Sequence, residues 1–146
     1  MYTFKNLSPG HIYKIWLGGV NKQTYSEFGL THFVTRLKTT SLVEHDSLTH
    51  DSVHFKWKAI ENANKYTIVV QTDDRKKKRV QKISVNALDT TVLKLHPNFP
   101  YLFEVIGENQ ISFSWPFQIK LRTLLAPTTI TCKLFFQNFL DMNLGV

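Results

Sequence analysis

Leu7-Ser8-Pro9-Gly10-His11-Ile12-Tyr13 and Leu95-His96-Pro97-Asn98-Phe99-Pro100-Tyr101 are two copies of one phrase, 88 residues apart. An alternating apolar run follows each copy: Tyr13, Ile15 and Leu17, then Tyr101, Phe103 and Val105. Eight positions beyond each Tyr stands an Asn, Asn21 and Asn109. Coincidences at a fixed offset mark an internal repeat, which has to be recognised before any single motif is read. The pattern L-x-P-x-x-x-Y is that of a tyrosine corner, where a Pro-bearing turn enters a strand and the Tyr hydroxyl bonds back to the backbone upstream. It points to a β-sandwich used for binding or spacing.

Working outward from the second copy, period-two alternation recurs. Val53, Phe55 and Trp57 alternate with His54, Lys56 and Lys58, as in a half-buried strand. Tyr66, Ile68 and Val70 alternate after the turn Asn62-Ala63-Asn64, and Asp73-Asp74 ends that strand. Val80–Val85, Thr90–Leu95, Tyr101–Ile106 and Phe117–Leu121 follow, with a first strand near Leu42-Val43. Seven short strands with turn signals every 8–12 residues or so predict an antiparallel sandwich over 39–124. No segment has a helical period, so the chain reads as all-β.

Residues 1–38 match only the later part of this pattern. Tyr2 and Phe4 align with Thr90 and Val92, then come the Leu7 corner and strands at Tyr13–Leu17 and Thr31–Arg36. The segment reads as the last three strands of a preceding module, unable to close a core by itself. Residues 125–146 read as a linker, Ala126-Pro127-Thr128-Thr129, and either the start of a third copy or a divergent tail.

Trp57 on the second strand, Tyr66-x-Ile68-x-Val70 on the third and Leu95-x-Pro97-x-x-x-Tyr101 before the sixth together resemble the fibronectin type III domain. The resemblance covers about 85 residues fully and the first 38 in part. It implies a seven-stranded immunoglobulin-like sandwich with the first, second and fifth strands in one sheet. It also implies tandem arrangement, mostly in cell-surface receptors, adhesion molecules and matrix proteins, otherwise in intracellular sarcomeric-type scaffolds or as accessory domains of enzymes. The expected setting is therefore extracellular or cell-surface, with cytoplasmic as the alternative, and the expected role is protein–protein binding or spacing without catalysis. The loop Gln110-Ile111-Ser112-Phe113-Ser114-Trp115-Pro116 lacks the small residues usual for the family. No Arg-Gly-Asp tripeptide occurs, so that integrin-binding loop is not carried over.

Composition fits a globular domain: 13 % of residues are aromatic, enough to build a core without low-complexity stretches. The single cysteine, Cys132, excludes an internal disulfide. No apolar run approaches the ~20 residues needed to cross a bilayer, so no membrane contact is expected within this sequence.

Net charge is +7, and five cations are consecutive: Arg75, Lys76, Lys77, Lys78 and Arg79, with Lys82 extending the patch. Such a run suits a heparin-like polysaccharide or an acidic protein surface. It equally suits a solvated turn or strand edge, where Lys blocks edge-to-edge pairing. No aromatic platform is interleaved with it, which disfavours nucleic acid. Six His are present; a metal site would want His50 and His54 on one face with a carboxylate such as Asp46 or Asp51, but His54 alternates outward from its strand while His50 sits in the turn before it, so no metal or other cofactor is expected. No nucleophile elbow, phosphate loop or paired-Cys motif occurs, and an enzyme is not expected. Trp57, Tyr66, Leu95, Pro97 and Tyr101, with Leu7, Pro9 and Tyr13 of the first copy, read as structural core. Trp115 reads as a cap on the sandwich or as a contact with a neighbouring module. Asn6-Leu7-Ser8 is a glycosylation sequon, so Asn6 is a candidate acceptor.

Overall fold

A computed structural model describes residues 2–72 and 80–128. Among these residues there are nine strands and no helix: β1 Ile12–Leu17, β2 Gly29–Val34, β3 Val43–Leu48, β4 Val53–Trp57, β5 Lys65–Thr72, β6 Val80–Val85, β7 Asp89–Val92, β8 Pro100–Glu108 and β9 Phe117–Arg122. The last seven build two antiparallel sheets, β3-β4-β7 and β6-β5-β8-β9. The first, second and fifth strands of this set share one sheet, as the fibronectin type III resemblance implies.

The period-two pattern explains why these segments are strands and which side they bury. In β4 the inward residues Val53 and Phe55 are fully buried and Trp57 nearly so, while Lys56 faces solvent. In β8 Tyr101, Phe103, Val105 and Gly107 are buried and the residues between them are not. Phe55 and Phe103 meet across the two layers with ring centroids 4.8 Å apart, so the aromatic core joins the sheets directly. β5 is buried at five consecutive positions, Tyr66–Val70, because it is flanked by β6 and β8 as a central strand.

β1 and β2 form a separate two-stranded sheet. Its register is that of β8 and β9 shifted by 88: Tyr13 faces Phe33 as Tyr101 faces Leu121, and Leu17 faces Gly29 as Val105 faces Phe117. The turns repeat as well. Ser8 N–H donates to the Tyr13 hydroxyl at 2.7 Å, and His96 N–H to the Tyr101 hydroxyl at 2.8 Å. Thr35 Oγ1 donates to Ser8 O at 2.7 Å, and Thr123 Oγ1 to His96 O at 2.6 Å. Left-handed φ values fall at Asn6 and Gly10 and again at Lys94 and Asn98. One local sequence pattern thus produces one local structure twice.

Three details differ from the sequence reading. The strand expected near Tyr2–Phe4 does not form, and both rings are exposed. Its counterpart β7 exists by pairing with β4, and residues 2–38 contain no such partner strand. Pro97 is exposed, not core. It serves the corner by fixing φ in the turn, while Leu95 and Tyr101 on either side supply the buried side chains. Leu7, Pro9 and Tyr13 are only half-buried, since among the described residues no second sheet covers the hairpin. The alternatives for the chain end, from residue 129 onward, lie outside the described residues.

Candidate functional site: the joint at the loop end of the sandwich

The hairpin and the sandwich meet where β2 runs out through Thr35, Arg36 and Leu37 toward β3. Leu37 is 2 % exposed and belongs to the same core cluster as Trp57 and Tyr66. It also forms a parallel bridge with Ser114, which aligns the linker beside the loop following β8. Arg36 has its guanidinium over two rings of that loop, 4.6 Å from the Phe113 centroid and 4.2 Å from the Trp115 centroid. Cation–π contacts of this kind contribute about 0.5–1 kcal/mol each at exposed sites.

Hydrogen bonds to the backbone complete the joint. Ser112 Oγ donates to Thr35 O at 2.8 Å, and Thr39 Oγ1 to Trp115 O at 3.3 Å. Asn62 Nδ2 donates to Pro9 O at 3.0 Å, and Asn109 Nδ2 to Gly10 O at 3.3 Å. Asn109 is held in place by its own loop, its Oδ1 accepting from the N–H groups of Ile111 and Ser112. Gly10 is required here twice over. Its φ is +68°, and a Cβ would stand 2.5 Å from Leu37 Cδ2 and 2.8 Å from Asn109 Nδ2. Buried Thr40 closes the linker by donating to the carbonyls of Lys58 and Leu42.

On the outer face of β3-β4-β7 lies a second cluster. A register shift between His45 and Ser47 leaves Asp46 as the extra residue of a β-bulge. Its carboxylate bonds Lys56 Nζ and, at 2.6 Å, His54 Nδ1; His54 Nε2 lies 3.3 Å from Asp89 Oδ2. The hydrogen bond to Lys56, then that to His54, lowers the Asp46 pKa to about 2. Asp46, first by hydrogen bonding, raises the pKa of both His54 and Lys56. Among the described residues no group of three or more His, Cys, Asp or Glu is arranged to hold a metal ion.

No family model and no curated protein matches the sequence. Solved structures do match the fold. A two-domain fibronectin type III segment from chicken tenascin superposes with a TM-score of 0.61 at 18 % identity, over 81 % of this chain and 68 % of that one. The fn3 domain of human collagen alpha-1(XX) gives 0.58 at 18 % identity, over 65 % and 92 %. The FN5 domain of Drosophila Lar gives 0.53 at 20 % identity, over 62 % and 99 %. The fold is that of the fibronectin type III domain. The two-domain segment matches a larger share of this chain than either single domain.

The sequence-predicted residues distribute unevenly over this fibronectin type III frame. Trp57, Tyr66, Leu95 and Tyr101 are in the core. The Trp57 ring packs 5.5 Å from Tyr66, and its buried indole N–H has no hydrogen-bond partner among the described residues. Trp115 is 62 % exposed and contacts the linker from the preceding hairpin through Arg36. Arg75–Arg79 lie outside the described residues, whereas Lys82 is exposed on β6, an edge strand. Asn6 is exposed, with φ +57°. Among the described residues, no helix is long and apolar enough to cross a membrane. Arg36, Leu37 and Gly10 were not singled out from sequence. Thr35-x-Leu37 does recur at Thr123-x-Leu125, and that repeat was the available signal.

Proposed function

We propose that this chain is a non-enzymatic interaction and spacer unit in which a partial fibronectin type III module, residues 1–38, is held at a set angle to a complete one, residues 39–124. The joint carries this reading. A flexible tether would leave the linker solvated, but here Leu37 is buried in the core of the following module and Arg36 is clamped by Phe113 and Trp115. A spacer needs this property, because the positions of surfaces on successive modules are fixed only if the joints are. The likeness in fold to segments of a tenascin and a collagen supports an extracellular or cell-surface setting; protein partners are part of the proposal. A polyanion-binding role for Arg75–Arg79 belongs to the same proposal, supported by the exposure of Lys82 on the adjacent edge strand.

The test is backbone ¹⁵N relaxation on the parent chain and on Arg36→Ser. The parent should show one rotational correlation time for Ile12–Val34 and Val43–Arg122, and Arg36→Ser should shorten it for the hairpin. Separate times in the parent would refute the spacer reading.

A further inference from the structure

In the complete module β8 has two neighbours in its sheet, β9 on one edge and β5 on the other. β5 runs antiparallel along the whole of Tyr101–Glu108, from Thr72 opposite Tyr101 to Lys65 opposite Glu108. Its neighbour in sequence, β4, covers the inner face, so that Tyr101, Phe103 and Val105 are 5 %, 1 % and 1 % exposed. The same stretch of the first copy is Tyr13–Val20. Among the described residues β1 pairs with β2 alone, and its other edge has no neighbouring strand. Its inner face is open to match: Tyr13 and Ile15 are half-buried, and Leu17 is 62 % exposed.

An open edge with unpaired N–H and C=O groups beside an apolar face is a template for adding a strand. Because the β1–β2 register reproduces β8–β9 pair for pair, the geometry that receives β5 is already formed on β1. We infer that the edge Tyr13–Val20 and the face Tyr13–Ile15–Leu17 form a strand-acceptor site. Its occupant is an antiparallel segment with the chemistry of β4 and β5: one strand alternating like Tyr66, Ile68 and Val70 on the edge, and one alternating like Val53, Phe55 and Trp57 over the face. The occupant is thus a protein segment built on the same repeat. The inference rests on the partial-module reading above and adds that the partial module binds a strand donor with a defined register.

The probe is a synthetic peptide of residues 51–72, titrated into the full chain and followed by amide hydrogen exchange. Leu17→Lys is the matched variant; Leu17 is largely exposed, so this change places a charge in the acceptor face without disturbing the chain's own packing. A peptide of the same composition in scrambled order is the control. The 51–72 peptide should slow exchange across Tyr13–Val20 by at least tenfold in the parent, and by less than twofold in Leu17→Lys or with the scrambled peptide. Absence of protection at Tyr13–Val20, or equal protection in Leu17→Lys, would overturn the site. Basal protection of the β1–β2 amides without peptide reports the hairpin separately: if it is present while the peptide adds nothing, the acceptor inference fails and the partial-module reading stands.

Discussion

Phe103 and Ile15 occupy the same place in the two copies of the repeat, so truncating each to Ala asks which copy holds the core. Phe103 is 1 % exposed, with its ring 4.8 Å from Phe55 and 5.9 Å from Tyr101. Removing it leaves a cavity between the sheets, and Phe→Ala at such sites costs about 3–5 kcal/mol. Ile15 is half-buried and has no facing sheet among the described residues, so Ile15→Ala loses transfer free energy without opening a cavity, about 1 kcal/mol. For a domain of this size, 1 kcal/mol moves the thermal midpoint by about 4–8 °C. Phe103→Ala should therefore lower the midpoint of the full chain by at least about 12 °C, and Ile15→Ala by no more than about 8 °C. Circular dichroism melts on the parent and both variants measure this. Equal losses for the two positions would show that the hairpin shares the core and would refute the reasoning.

Other consequences of the structure are open to measurement. Leu37→Ala should cost about 2–5 kcal/mol in denaturant unfolding, because it empties a buried site although it lies in a linker; a change below 1 kcal/mol would place Leu37 outside the core. His54 has a raised pKa, so its contribution to stability is complete below about 6.5 and fades as pH rises through the folded-state value. Asp46, lowered to about 2 from 3.8, contributes above its unfolded value and loses that contribution as pH falls from there toward 2. Stability should thus decline as pH rises above about 6.5 and as it falls below about 3.8, and His54→Gln should remove the decline on the rising side; an unchanged slope there would detach the cluster from stability. Replacing Arg75–Arg79 with Ser should reduce retention on heparin and flatten its salt dependence, since each phosphate- or sulfate-bound cation adds somewhat under one unit of slope; co-elution with the parent would leave the run as strand-edge protection.

Most of the fold was readable because its signals are local. Alternation at Val53–Trp57 and Tyr101–Val105 states which side of each strand is apolar, and turn residues bound the strands. The tyrosine corner was readable for the same reason: acceptor and donor are five residues apart. The strand expected near Tyr2–Phe4 failed because an edge strand is decided by its partner, and no propensity supplies one. The joint was hidden for a related reason. Arg36 reads as a solvated cation until Phe113 and Trp115 are brought beneath it from 77 and 79 residues away. His54 and Asp46 could be named together from sequence only as part of a rejected metal site; that they form an ion-paired cluster with Lys56 and Asp89 was hidden, because a one-residue bulge decides that Asp46 turns toward His54 and Lys56.

The most direct test of the account is a set of residual dipolar couplings from the full chain in a weakly aligning medium. Couplings from the amides of Ile12–Val34 and of Val43–Arg122 should fit a single alignment tensor with the orientation set by Arg36, Leu37 and Asn109. Two tensors of different magnitude, one for the hairpin and one for the sandwich, would contradict a fixed joint and with it the spacer function.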